Sequence, residues 1–158
     1  MYKPIRMLET HNLCESFLAQ DIKDGHNLAL KCFTKKDSKA LQAGIRDAQF
    51  ASWLQSAQLI KLINAFDYKG RLCFFVEYMD GGNMTKIIQD MKLELSEDFC
   101  RWTLYQVSLG LQYMHARNVL HRDIKCDNVY CATNGDIKIG NFYHSVMLSS
   151  ELIERELF

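Results

Sequence analysis

A short polar cluster in the second half of the chain holds the residue types that phosphoryl transfer requires. Residues 121–128 read His-Arg-Asp-Ile-Lys-Cys-Asp-Asn and lie between two apolar stretches. A carboxylate can orient a hydroxyl nucleophile, a cation can neutralise charge on the transferring group, and an amide oxygen can hold Mg²⁺. Taken alone, such a cluster is more often a solvated polar turn that follows a helix. The cluster by itself therefore leaves both interpretations open.

Five blocks of sequence resemble those of the eukaryotic protein kinases, in the family's order and at nearly its spacing. Residues 121–128 resemble the catalytic loop, in which HRD is followed by Lys and then Asn. The other blocks resemble the VAIK strand, the hinge, the end of helix E and the strand leading to DFG; they are NLALK (27–31), FFVEYMDGGNM (74–84), LQYMHARNVLHRD (111–123) and GDIKIGNF (135–142). Lys two residues after the catalytic Asp is most similar to serine/threonine kinases, especially the sterile-type and With-No-Lysine-like groups.

The resemblance implies a role for each polar residue of the loop. Asp123 corresponds to the catalytic base that accepts the proton of the substrate hydroxyl, and Lys125 to the lysine that contacts the γ-phosphate. Asn128 corresponds to a Mg²⁺ ligand. Asn141 stands where the family has the aspartate of DFG, so it is the second metal-ligand candidate.

The resemblance also implies nucleotide-binding residues in the first half of the chain. Lys31 corresponds to the lysine that pairs with the α- and β-phosphates, and Asp47 to the helix glutamate that holds this lysine. Because Asp is one methylene shorter, we expect that ion pair only if the helix moves inward. Glu77 and Met79 correspond to hinge positions whose backbone groups hold adenine. The implied cofactors are ATP and Mg²⁺, and the implied partner is a protein substrate or a partner kinase.

Two departures from the family pattern predict impaired catalysis. The three glycine positions of the phosphate-covering loop fall on Glu9, His11 and Cys14, which removes the close backbone approach to phosphate. The DFG triplet reads Asn141-Phe142-Tyr143. An amide oxygen lacks the formal charge that Mg²⁺ prefers, so several kcal/mol of transition-state stabilisation is expected to be lost.

The elements around these residues predict an α+β protein with a kinase-like bilobal fold: a complete small β-rich lobe and only the first part of the helical lobe. We expect residues 1–79 to form the first lobe, 80–145 part of the second, and 146–158 a truncated activation segment or tail, helical from Ser149. The predicted strands are Ser16–Gln20, Asn27–Phe33, Leu59–Phe66, Arg71–Tyr78 and a hairpin over Val129–Ile139; the predicted helices are Ser38–Gln58, Met84–Met91 and Ser96–Arg117.

Composition argues against several other classes of protein. The chain has 158 residues, with 19 basic side chains balanced by 19 acidic ones, so no overall charge favours nucleic acid or an anionic membrane. No apolar run approaches the ~18 residues that a membrane span requires. The six cysteines lack zinc-ligand spacing and are typical of reduced thiols, which predicts a cytoplasmic protein.

Three functions stay open at the level of sequence. The first is an ATP-dependent serine/threonine kinase with impaired activity, supported by Lys31, Asp123, Lys125 and Asn128. The second is a pseudokinase that serves as a binding module, supported by the altered glycine loop and by Asn141. The third is a non-functional fragment. Because nothing resembles the later helices of the second lobe, we expect either that the chain is a fragment or that a partner covers the face on which they would lie.

Overall fold

The structure is a computed structural model that describes residues 2–10, 13–90 and 95–149. It divides into two compact units, one formed by Met1–Gln55 and Ile60–Tyr78 and the other by Ser56–Leu59 and Met79–Phe158. Within the described residues, the first unit is built on a sheet and one α-helix, and the second contains two α-helices and short strands. The predicted α+β class is confirmed.

The first unit is an antiparallel five-stranded sheet with one helix packed on it. Its strands, in the order β1-β2-β3-β5-β4 across the sheet, are β1 (Tyr2–Thr10), β2 (Cys14–Asp21), β3 (Asn27–Thr34), β4 (Leu62–Tyr68) and β5 (Arg71–Glu77). The turn between β2 and β3 uses Gly25 at φ 76°, as the Asp-Gly pair predicts. Four consecutive residues of β5, Cys73–Val76, are buried. The sequence pattern did not predict β1, because its side chains are mostly exposed and show little alternation.

The helix of the first unit, α1, spans Ser38–Trp53. Asp37 caps it by accepting hydrogen bonds from the backbone N–H groups of Lys39 and Ala40 at 2.8 and 3.3 Å. The prediction that this helix continues to Gln58 was wrong, because Leu54 turns to an extended conformation and is buried. Residues 56–59 belong to the second unit, so the next strand begins at Leu62 instead of Leu59.

Close approach of α1 to β3 depends on Gly44. A Cβ atom at this position would lie 2.6 Å from Cγ of Phe33, a side chain that is itself fully buried. We therefore expect Gly44→Ala to lower the free energy of unfolding by about 1–2 kcal/mol, since overpacking outweighs the gain of about 1 kcal/mol in helix propensity. Denaturant unfolding of this variant and of Gln42→Ala, on an exposed position of the same helix, measures the difference. Equal stability of the two variants would contradict the close packing.

The second unit is built on two helices, a three-stranded sheet and a strand pair. The helices are α2 (Met84–Asp90) and α3 (Glu97–His115), and the strands are β6 (Gly82–Asn83), β7 (Val119–Leu120), β8 (Val129–Cys131), β9 (Ile137–Ile139) and β10 (Val146–Met147). The sheet has the order β6-β8-β9, and β10 pairs with β7. Ser96 caps α3 by accepting from Phe99 N–H at 3.2 Å, as its position predicts. The predicted hairpin turn has Gly135 at φ 92°.

A small apolar core fixes the strands that flank the catalytic-loop sequence. It consists of Met84, Val129, Cys131 and Ile137, with Phe99 and Val107 of α3 packed against it. The segment 56–59 joins this unit through Gln58, whose carbonyl accepts from Ile139 N–H at 2.8 Å. Within the described ranges, no helix is long and apolar enough to cross a membrane. Met91, the last residue of the predicted helix Met84–Met91, lies outside the described residues. The predicted helix from Ser149 also lies outside them, apart from its first residue.

Candidate active site

The loop between β7 and β8 is held from below by His121. This ring is buried, its Nε2 donates to the Gly140 carbonyl at 3.0 Å, and its Nδ1 accepts from Asp123 N–H at 3.3 Å. The two contacts together select the neutral tautomer with the proton on Nε2. Phe142 packs edge-on against the same ring at a centroid distance of 5.6 Å. His121 thereby links the polar loop to the segment that begins at Asn141.

Asp123 is the centre of the polar contacts in this loop. Its Oδ2 lies 3.1 Å from Lys125 Nζ, and it accepts a hydrogen bond from Asn128 Nδ2 at 2.8 Å. The Tyr143 hydroxyl donates to the same oxygen at 3.4 Å. Asn128 also donates to the Asp123 main-chain carbonyl at 2.7 Å, which fixes the orientation of its amide. Asp123, Lys125 and Asn128, three of the residues that the sequence singled out, therefore form one connected cluster.

The charge state of this cluster follows from its contacts. Partial burial would raise the pKa of Asp123, but the hydrogen bonds from Lys125 and Asn128 outweigh it and the pKa is lowered. The hydrogen bond to Asp123 raises the pKa of Lys125. Both groups are therefore charged at neutral pH. A carboxylate in this state can accept a hydrogen bond from a hydroxyl group and orient it for attack.

The two predicted metal ligands are hydrogen-bonded to each other. Asn141 Nδ2 donates to Asn128 Oδ1 at 2.6 Å and to the Tyr130 hydroxyl at 3.0 Å. Asn141 has φ 63° and ψ 67°, a left-handed conformation that Asn tolerates better than most residues. The amide oxygen of Asn128 that the resemblance assigns to the metal is thus already occupied by an N–H group.

This arrangement does not fit Mg²⁺. The cation needs oxygen ligands in near-octahedral order, whereas Asn141 presents an N–H group to Asn128. Turning the Asn141 amide to present its oxygen would break the bond to Asn128, because two amide oxygens cannot hydrogen-bond to each other. Among the described residues, no cluster of three or more His, Cys, Asp or Glu side chains could hold a metal ion. Asn128 and Asn141 remain predicted ligands, but only in a rearranged state.

In the first unit, Lys31 and Asp47 form an ion pair. Lys31 Nζ on β3 lies 2.6 Å from Asp47 Oδ2 on α1, and their side chains are 13% and 2% exposed. We expected this pair only if the helix came closer to the sheet, because Asp is shorter than Glu. The small Gly44, one turn before Asp47, permits that approach. This glycine was the signal in the sequence that could have predicted the pair.

The positions that correspond to the phosphate-covering glycines lie around the β1–β2 hairpin. Glu9 is in β1 and opposes Ser16 in the strand register, so it belongs to the sheet. Cys14 begins β2, and burial raises the pKa of its thiol although the nearby Lys31 cation partly offsets this. His11 lies outside the described residues. This hairpin therefore presents a carboxylate side chain and a neutral thiol at positions where the resemblance predicts glycine.

The hinge positions lie where the chain passes from one unit to the other. Glu77 ends β5, its N–H donates to the Lys61 carbonyl at 3.1 Å, and its Oε1 accepts from Lys61 N–H at 2.7 Å. Met79 is buried and its carbonyl accepts from Gly82 N–H at 3.1 Å. The Glu77 side chain thus fixes the backbone locally, which is compatible with a role for backbone groups in adenine binding.

Two tyrosines, Tyr130 and Tyr143, hydrogen-bond within this site, and the sequence predicted that role for neither of them. Tyr130 accepts from Asn141, and nothing in its local sequence distinguishes it from an ordinary strand residue. Tyr143 was singled out only as the third residue of the DFG-like triplet, yet its hydroxyl reaches Asp123. An aromatic hydroxyl in place of the DFG glycine was the available signal.

Known proteins give an independent test of the family. The profile of the protein kinase domain matches residues 12–155. The chain belongs to the protein kinase family. It is 32% identical over 133 residues to an Aurora kinase of Yarrowia lipolytica, covering 82% of this chain and 36% of that protein. It is 29% identical over 155 residues to the human serine/threonine-protein kinase Nek5, covering 96% of this chain and 22% of that protein.

The relatives of this chain include serine/threonine-protein kinases. Another, Aurora/IPL1-related protein kinase 2 of Caenorhabditis briggsae, is 33% identical over 130 residues, covering 78% of this chain and 42% of that protein. The chain thus spans less than half the length of these relatives. The resemblance drawn from the five sequence blocks is confirmed, and kinases of this family generally use ATP and Mg²⁺ to phosphorylate protein substrates.

Proposed function

We propose that this chain is an ATP-dependent serine/threonine protein kinase domain whose phosphoryl transfer is impaired. The hydrogen bond from Asn141 to Asn128, at 2.6 Å, carries the proposal. In phosphoryl transfer, bound Mg²⁺ neutralises the charge of the phosphate groups. Here an amide N–H competes with the metal for Asn128. The nucleotide is therefore held mainly by cationic side chains, with a weak dependence on divalent metal.

The residues that act on the substrates are retained in this proposal. Lys31, fixed by the buried carboxylate of Asp47, binds the α- and β-phosphates. Asp123 accepts the hydrogen bond of the attacking serine or threonine hydroxyl, and Lys125 approaches the γ-phosphate. The backbone groups of Glu77 and Met79 bind adenine. Transfer is slow because the main electrostatic stabilisation of the transition state is weakened, although the base and both lysines are present.

A pseudokinase that binds a partner kinase is the second candidate. It is favoured by the β1–β2 hairpin, in which Glu9 and Thr10 are paired with Ser16 and Glu15 as part of the sheet. Their backbone groups then lie in a strand ladder, and the Glu9 carboxylate repels phosphate. In either function the protein is proposed to act in the cytoplasm, since all six cysteines are free, including the neighbouring Cys32 and Cys73.

Thermal unfolding with a non-hydrolysable ATP analogue tests the proposed function. We expect the analogue at ~100 times its dissociation constant to stabilise the chain by about 2.7 kcal/mol, a shift of several degrees, with or without Mg²⁺. Lys31→Met is expected to abolish the shift, because the phosphate-binding charge is lost. The shift is measured from the variant's own melting temperature without nucleotide, since the change also removes the cation beside Asp47. A shift seen only with Mg²⁺ would contradict the proposal that the Asn141 amide competes with the metal for Asn128. No shift in any condition would favour the pseudokinase that serves as a binding module.

Slow transfer is measured separately, by incorporation of labelled phosphate into dephosphorylated casein. Any activity of the chain should disappear in Asp123→Asn, which keeps an oxygen acceptor but loses the negative charge. Activity that persists in this variant would exclude Asp123 as the base.

A further inference from the structure

The Tyr143 hydroxyl lies against the oxygen that the proposed reaction requires. It donates to Asp123 Oδ2 at 3.4 Å, and the Tyr143 ring packs on His144 at a centroid distance of 4.7 Å. The side chain is half-buried and Asp123 is 21% exposed, so the contact lies at the protein surface but is partly covered. An uncharged hydroxyl that donates to Asp123 is the same chemical group that a serine or threonine substrate would present.

The backbone that carries Tyr143 is fixed on both sides of this residue. Before it, Phe142 is buried and packs on His121. After it, the His144 carbonyl accepts from Arg122 Nε at 2.7 Å, and Ser145 N–H donates to the Phe142 carbonyl at 2.9 Å. The next residues form β10, which pairs with β7 just before the catalytic loop. The phenol is thus positioned by folded structure, and its place beside Asp123 does not depend on the single contact.

Among the three donors around Asp123 Oδ2, the Tyr143 hydroxyl is the most easily displaced. Lys125 Nζ lies at 3.1 Å and carries a charge, and Asn128 Nδ2 lies at 2.8 Å on a buried side chain. The phenol at 3.4 Å is beyond the usual O–H···O range of 2.5–3.0 Å. A competing hydroxyl could therefore replace it at modest cost, while the other two donors stay in place.

We propose that the Tyr143 hydroxyl occupies the position beside Asp123 that the attacking hydroxyl of a protein substrate requires. A serine or threonine of the substrate must therefore displace the phenol before phosphoryl transfer. This assignment rests on the proposed function, in which Asp123 orients the attacking hydroxyl. Tyr143 is then a residue that determines how readily the site accepts a protein substrate. Its hydroxyl would slow the reaction by a second route, distinct from the hydrogen bond between Asn141 and Asn128.

Tyr143→Phe tests the assignment because it removes the hydroxyl and keeps the ring. With dephosphorylated casein and ATP–Mg²⁺, we expect kcat/KM for casein to rise about two- to fivefold, as loss of one weak competing hydrogen bond implies, with no change in KM for ATP. The measurement is made in the native chain and in an Asn141→Asp chain, where transfer is expected to be faster. Tyr105→Phe, at an exposed position of α3, is the matched control and should change neither constant.

An unchanged or lower kcat/KM for casein in Tyr143→Phe would overturn the assignment, as would an equal change in KM for ATP. A double-mutant cycle on unfolding, with Asp123→Ala and Tyr143→Phe, tests the contact without requiring activity, because each change removes one partner of the hydrogen bond. We expect the change in the unfolding equilibrium constant of the double variant to differ about twofold or more from the product of the changes in the two single variants. If no chain transfers phosphate, the proposed function fails. In that case, single effects that simply multiply in the double variant would also overturn the Tyr143 contact. A deviation from their product would support the contact.

Discussion

Replacing Lys31 by alanine is expected to lower the free energy of unfolding by about 3–5 kcal/mol, because it removes the cation that faces the buried carboxylate of Asp47. Asp47 is 2% exposed, and its carboxylate lies 2.6 Å from Lys31 Nζ. Truncation of the lysine removes the cation and opens a cavity, while the carboxylate stays in a setting that water reaches poorly. Denaturant unfolding followed by circular dichroism measures the loss.

The chain offers a matched control on the same sheet. Lys35 forms an ion pair with Asp67, but those side chains are 38% and 58% exposed. Because exposed pairs contribute little, Lys35→Ala should cost at most about 1 kcal/mol. The double variant Lys31→Met/Asp47→Leu removes both charges and should recover most of the lost stability. If Lys31→Ala costs no more than Lys35→Ala, the pair is not a buried one in solution.

The fold was largely predictable where residue type and burial agree. The continuous apolar run of β5, the Asp-Gly turn at Gly25 and the Ser96 cap of α3 were all predicted from the sequence and lie where expected within a few residues. The end of α1 was not predictable from local propensity, since Gln55–Gln58 has no helix breaker. Tertiary contact decided it, because Gln58 pairs with Ile139, far away in sequence.

The site was predictable as a set of residues but not as a set of contacts. Asp123, Lys125 and Asn128 follow a fixed local spacing, so the sequence predicts that they lie together. Which atom of an amide faces its neighbour depends on every donor and acceptor nearby. The orientation of Asn141 is set by Asn128 and Tyr130, and only the three-dimensional network reveals that N–H faces the predicted metal position.

Asn141→Asp is expected to give the largest gain of activity, a rise of roughly a hundredfold in phosphate transfer to dephosphorylated casein with ATP–Mg²⁺. A carboxylate cannot donate to Asn128 Oδ1, so the hydrogen bond at 2.6 Å is lost, whereas the Tyr130 hydroxyl can turn to donate to the carboxylate. Two oxygens then face each other across a short distance, which is unfavourable without a cation and favourable with one. Thermal unfolding should therefore show a lower melting temperature than the native chain without Mg²⁺ and a new stabilisation when Mg²⁺ and nucleotide are added together.

Asn141→Ala distinguishes the effect of losing the amide donor from the effect of gaining a carboxylate, since Asn141→Asp does both. It should be destabilised to a similar extent, by about 1–3 kcal/mol, because Asn128 Oδ1 again loses its donor. It should gain neither activity nor a response to Mg²⁺, since it supplies no ligand. If Asn141→Asp and Asn141→Ala behave alike in both assays, the amide is not what restrains metal binding. The impairment would then be expected in the β1–β2 hairpin, where the resemblance predicts a glycine at the position of Glu9. Glu9→Gly in the Asn141→Asp chain would become the variant to measure.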